Sequence, residues 1–153
     1  MPAEPAPGTP VEGSIVHLEI AMSRLIALFA LAAFLPAAQA ASLQEHELTR
    51  MLEQVAKESS VGTPRAINED ILDQGYTVEG NELINHLSVR PAHAAQMRGN
   101  PDSVRNQLAA SVCKNTGYRR LLASGAVLRY QFSEYKSNLP IITERFAKAD
   151  CGL

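Results

Sequence analysis

The chain has 153 residues, 46 % of them hydrophobic and 5 % aromatic, with no tryptophan and a formal charge of −2 at pH 7. So small a net charge gives nucleic acid or an anionic membrane no electrostatic hold. So few rings leave little surface on which sugars or bases could stack.

Residues 1–21 carry Glu4, Glu12 and Glu19 and neither Lys nor Arg. Next comes the uninterrupted apolar run LIALFALAAFL, Leu25 to Leu35, broken by Pro36 and followed by Ala38-Gln39-Ala40. A basic start, an apolar stretch of roughly 7–15 residues and an A-x-A site make a cleavable secretory signal. The run is too short to span a bilayer, which needs about 20 apolar residues. A signal wants positive charge ahead of its apolar stretch, and the acidic residues 1–21 supply none. Met22 is therefore the expected initiator, with Arg24 as the basic start. Residues 1–21 are expected to lie outside the folded protein, residues 22–40 to be the signal, and residues 41–153 to form one domain. No transmembrane segment is expected after cleavage.

Without Arg24 and the three early acids, the exported part carries 13 basic and 13 acidic residues. It holds both cysteines, Cys113 and Cys151. An even pair in an exported protein predicts a disulfide, and the competing possibility is two buried thiols.

Ser42-Leu43-Gln44-Glu45 has the form of a capping box. Leu48, Met51, Leu52 and Val55 follow at helical spacing, predicting a helix to about Ser59. Val61-Gly62-Thr63-Pro64 ends it. Extended segments are expected around 66–70, 74–78 and 82–89, with a tight turn at Glu79-Gly80-Asn81. In the last of them Leu83, Leu87 and Val89 share one face, interrupted by Asn85, and Ile84, His86 and Ser88 take the other. The segment 90–100, polar and Ala-rich, is expected as a connection with room for one helical turn. Asn100-Pro101 predicts a capped helix start, and Val104, Leu108 and Val112 make its apolar face. A short helical stretch follows over 118–123. Leu128, Tyr130 and Phe132 then alternate with Val127, Arg129 and Gln131, a clear strand pattern, and a last strand runs over 141–147. The sum is an α+β domain: an antiparallel sheet of four or five strands, two main helices on one face, and a disulfide from the second helix to the terminal strand.

Motifs for chemistry are absent. His46, His86 and His93 stand in no H-x-x-x-H arrangement, and no C-x-x-C exists, so metal-site spacing is lacking. Ser124 sits in Leu-Ala-Ser-Gly-Ala, not in a nucleophile elbow. No cofactor is expected. Lys114, Arg119 and Arg120, joined by Arg129, form a candidate basic cluster for an anionic ligand or an acidic partner. Its competitor is an ordinary solvated face. The sheet face carrying Val127, Arg129 and Gln131 is a second candidate contact surface.

The signal MSRLIALFALAAFLPAAQA, the segment GTPRAINEDILDQGYTVEGNELINHLSV and the ending from Arg120 to Leu153 resemble the putative quorum-sensing-regulated virulence factors of pseudomonads. The resemblance covers Met22 to Leu153. It implies an exported, virulence-associated α+β protein of secretion-chaperone-like character, and it supplies no catalytic or binding residues. The expectation is a secreted or periplasmic protein that binds a protein partner and is not an enzyme. The alternative is a small secreted hydrolase using His86 or His93 with a carboxylate.

Overall fold

The computed structural model describes residues 35–153, with side chains from residue 40. The predicted start at Met22 and all but the last residues of the predicted signal lie outside the described residues. Leu43–Leu153 forms one compact unit, and the sheet belongs to it.

Helix α1 spans Leu35–Ser59. It begins seven residues ahead of the predicted Ser42 cap, so Ser42 to Glu45 lie inside the helix. Pro36 is tolerated in a first turn, and the alanines at 37, 38, 40 and 41 have the best helix propensity of any residue, so the helix propagates through them. Strand β1 is only Arg65–Ala66, β2 is Ile71–Glu79 and β3 is Glu82–Val89. Glu79 pairs with Glu82 across the predicted Gly80-Asn81 turn, and Gly80 takes φ +58°, the left-handed conformation that such a loop requires.

Between β3 and β4 come three helices: α2 Pro91–Gly99, α3 Pro101–Lys114 and α4 Thr116–Ala123. The expected connection at 90–100 is therefore mostly helix. Its start signal is Pro91 at the first helical position. Pro101 has the same place in α3, but Asn100 makes no side-chain cap bond, contrary to expectation. Asn115 does cap, accepting from Tyr118 N at 3.0 Å. Strands β4, Val127–Glu134, and β5, Pro140–Phe146, follow, and a 3₁₀ turn over Lys148–Cys151 closes the chain.

The sheet has five strands in the order β1-β2-β3-β4-β5. It is mixed and not purely antiparallel, because β3 and β4 run parallel, with Leu83 opposite Leu128 and Leu87 opposite Phe132. Parallel neighbours need a crossover of a dozen or more residues, and α2, α3 and α4 are that crossover. Among the described residues four helices accompany the sheet: the two expected main helices, α1 and α3, the expected short stretch as α4, and α2.

Buried residues of all four helices pack on one sheet face. Leu52 and Ala56 of α1, Val112 of α3 and Leu122 of α4 meet Leu128 and Phe146 in one cluster. Ala94 and Met97 of α2 meet Leu87, Val89 and Phe132 in a second. Leu108 and Tyr130 touch both clusters. Cys113 and Cys151 form a disulfide with Cα atoms 5.2 Å apart, normal for such a bridge. It ties α3 to the 3₁₀ turn beyond β5, one element later than predicted.

Candidate functional site

The seam between the two clusters opens as a groove of about 330 Å³. The sheet supplies its floor with Asn85 and Leu87 of β3 and Tyr130 and Phe132 of β4. Met97 of α2 and Val104 and Leu108 of α3 form one side, and Ile71 of β2 and Ile67 form the other. Ile67 is 58 % exposed, an unusual position for a β-branched apolar side chain at the rim of an apolar cleft. His93, Gln107 and Ser111 are the polar residues contributed by the helices.

The floor is fixed by a buried polar network. Asp73 is 4 % exposed, and its Oδ1 accepts from Gly75 N at 3.0 Å and from Asn85 Nδ2 at 2.9 Å. Arg65 Nη2 donates to its Oδ2 at 3.0 Å. Asn85 Nδ2 also faces Gly75 O at 3.4 Å. The network sits where β2 bulges between Asp73 and Gly75. Nearby, the hydroxyls of Tyr76 and Tyr118 lie 3.5 Å apart. Burial pushes the Tyr76 and Tyr130 phenols well above their ordinary value, with Tyr118 adding to both shifts, so they stay protonated and uncharged.

The residues expected to form one basic cluster are divided. Lys114 ends α3, and Arg119 and Arg120 lie on α4, with Arg119 Nη1 donating to Cys113 O at 3.3 Å. Arg129 lies on the sheet face turned away from the helices' core. It bonds Glu79 Oε2 at 2.7 Å and Glu82 Oε2 at 2.8 Å, and Glu82 continues to Arg145. Its side chain is 13 % exposed. Alternation along β4 puts Arg129 opposite Tyr130's face, which is why sequence proximity misled. On that same away face Ile84 is fully buried between Thr77 and Arg129 in the register.

The two histidines singled out for catalysis are also separated. His86 Nε2 lies 2.7 Å from Thr77 Oγ1 on the away face. Burial and the charge of Arg129 hold its pKa below the usual value. His93 Nδ1 stands 3.9 Å from Asp70 Oδ2, beyond the range of an orienting hydrogen bond. Among the described residues, no three His, Cys, Asp or Glu gather to hold a metal ion, and no helix is long and apolar enough to cross a membrane.

The groove is not legible in the sequence. Its residues are scattered from Ile67 to Phe132, and the one local sign was Asn85 interrupting an apolar strand face.

Residues 41–152 match the family described as "Putative quorum-sensing-regulated virulence factor". A crystal structure of a putative secreted protein from Pseudomonas aeruginosa is 72 % identical, covering 71 % of this chain and 96 % of that one, with a TM-score of 0.70. The fold is also shared with the pilotin of the Vibrio vulnificus type 2 secretion system, at 16 % identity over 73 % of this chain and 98 % of that one, TM-score 0.64. The Vibrio cholerae type II secretion system pilotin has the same identity, over 73 % and 99 %, with a TM-score of 0.58. Among curated proteins, none matches the chain.

Proposed function

Because the chain belongs to the putative quorum-sensing-regulated virulence factor family, we propose that it acts after export as a non-enzymatic binding protein that seats a protein partner in the α2–α3 groove. The observation that carries this is the groove itself: an apolar cleft walled by Val104, Leu108 and Met97 and rimmed by exposed Ile67. Apolar surface left open in a concave site marks binding. Export is supported by the 72 % identical relative, which is described as a putative secreted protein. The family match beginning at residue 41 agrees with cleavage after Ala40. Two proteins of this fold are pilotins of type II secretion systems, so the architecture has precedent beside secretion machinery. Lys114, Arg119 and Arg120, at the α3–α4 junction, offer an acidic partner surface a second contact.

Photocrosslinking in exporting cells tests the proposal. A photoreactive residue at Gln107, on the groove rim, is expected to capture a discrete partner, and one at Gln131, on the away face, is not. Capture from Gln131 alone would overturn the groove as the docking site. Turnover of a generic ester or peptide by the purified protein, lost on His93→Gln, would overturn the non-enzymatic role.

A further inference from the structure

The floor of the groove contains a buried hydrogen-bond acceptor with no partner. Asn85 is 5 % exposed. Its amide nitrogen donates to Asp73 Oδ1 at 2.9 Å and faces Gly75 O at 3.4 Å. The amide cannot flip, because a flip would turn Oδ1 onto a carboxylate and a carbonyl, neither of which has a hydrogen to give. Asp73 is itself held by Arg65 and Gly75 N, so the orientation is locked from behind. Oδ1 accepts no hydrogen bond in the structure, yet the sealed, partnerless side-chain atom among the described residues is Arg129 Nε and not this one. Oδ1 therefore keeps access to the groove that Asn85 lines.

Resting on the groove as the partner's seat, we infer that Asn85 is its specificity-determining residue: Oδ1 receives a hydrogen bond from the ring N–H or O–H of a partner tryptophan or tyrosine whose apolar body fills the cleft. The chemistry selects that guest. Leu87, Met97, Val104, Leu108 and Phe132 around Asn85 want an apolar body, while a buried acceptor left unmatched costs free energy on docking. Trp and Tyr combine a large apolar ring with one donor at its edge, and they dominate the energetics of protein docking sites. His93, Gln107 and Ser111 do not change this choice, since they come from the helices. Of the two polar side chains on the floor, the Tyr130 hydroxyl is engaged with Tyr118, which leaves the Asn85 acceptor to the guest. Asp73 acts as a positioning residue through Asn85.

The test uses side-chain analogues, read by NMR on the purified exported protein. 3-Methylindole carries the donor. 3-Methylbenzothiophene has nearly the same shape and none. The expected result is saturable shifts at Leu87, Val104 and Phe132 with 3-methylindole, and about tenfold weaker binding of the sulfur analogue. Asn85→Leu should bring the two to equal affinity. Asp73→Asn, which replaces the carboxylate that bars a flip with an amide able to donate and leaves only the Gly75 carbonyl against it, should narrow the gap without abolishing binding. Equal affinities in the unaltered protein would overturn the role of Asn85 and leave the groove as a docking site. Absence of groove shifts with both probes would overturn the aromatic-donor guest. Crosslinking from position 107 stands or falls separately from both results.

Discussion

Asp73 and Asn85 sit on adjacent strands and bond through Oδ1 and Nδ2 at 2.9 Å, joining the bulge in β2 to the floor of the groove in β3. The carboxylate has three donors around it: Arg65, Gly75 N and the Asn85 amide. Removing it strands two of those donors in the interior. Asp73→Leu is expected to cost about 2–4 kcal/mol, the range for breaking a buried charged network. Arg65 is half exposed, so Arg65→Ala should cost only about 1 kcal/mol. Urea unfolding of both variants checks the ranking, and a larger loss for Arg65→Ala would refute it.

Gly75 follows Asp73 through the bulge at φ +105°. A Cβ there would stand 3.0 Å from Thr63 Oγ1 and 3.1 Å from Ser60 Oγ. Ser60 Oγ is not free to retreat, since it accepts from Tyr76 N at 2.8 Å and donates to Ala56 O at 2.7 Å. Conformational strain and crowding thus act together. Gly75→Ala is expected to destabilise by about 1–3 kcal/mol, where Gly99→Ala, with open space and an ordinary φ, should be neutral or mildly stabilising. Thermal melts of the pair distinguish the effects.

Much of the sheet was legible because strand signals are local. Leu128, Tyr130 and Phe132 alternate and do face the core, and the Gly80-Asn81 turn sets the β2–β3 register. Period-2 alternation says nothing about which strand lies alongside, so the parallel β3–β4 pairing was invisible. The full length of helix α2 is not legible in the sequence because PAHAAQMRG buries only Ala94 and Met97, too sparse a stripe to be periodic. Asn85 was visible as an interruption in an apolar face. Its meaning depended on Asp73, twelve residues earlier, and on helices between 91 and 114 that leave the floor open. Arg129 stands apart from Lys114, Arg119 and Arg120 for a related reason: neighbours in sequence on a strand face opposite ways.

The folded state holds His86 below its ordinary pKa of 6.5, chiefly by burial, then by Arg129, with Glu79 opposing. Above pH 6.5 the ring is neutral in both folded and unfolded chains, and its contribution to stability is fully present. As pH falls below that point the unfolded chain takes up the proton first. Stability is therefore lost between 6.5 and the lower folded value. The urea midpoint should decline from pH 7 to pH 5, and His86→Gln should flatten that part of the profile. The Glu134 carboxylate, held below its ordinary 4.5 by Arg98 and Ser137, acts in the same direction only at more acid pH. An unchanged slope in His86→Gln would assign the dependence to another group.

The end of the chain is tied to α3 twice, and the two ties have different strengths. The Cys113–Cys151 bridge closes a separation of 38 residues, for which loop-closure entropy gives about 4 kcal/mol. Arg105, two turns earlier on α3, bonds Glu144 of β5 and Asp150 of the 3₁₀ turn and lies 4.9 Å above the Phe146 ring. Its side chain is partly exposed, so solvent screening reduces the ion pairs. Together with the ring contact they are worth about 1–2 kcal/mol. Cys113→Ser/Cys151→Ser should therefore lower stability more than Arg105→Met does. Because Asp150 and Cys151 are adjacent, the two losses should not add: once the bridge is gone the turn frays, and Arg105→Met costs less than it does with the bridge intact. Urea titrations of the four combinations measure the coupling. Strict additivity would show that Arg105 holds β5 alone and that the terminal turn depends on the bridge.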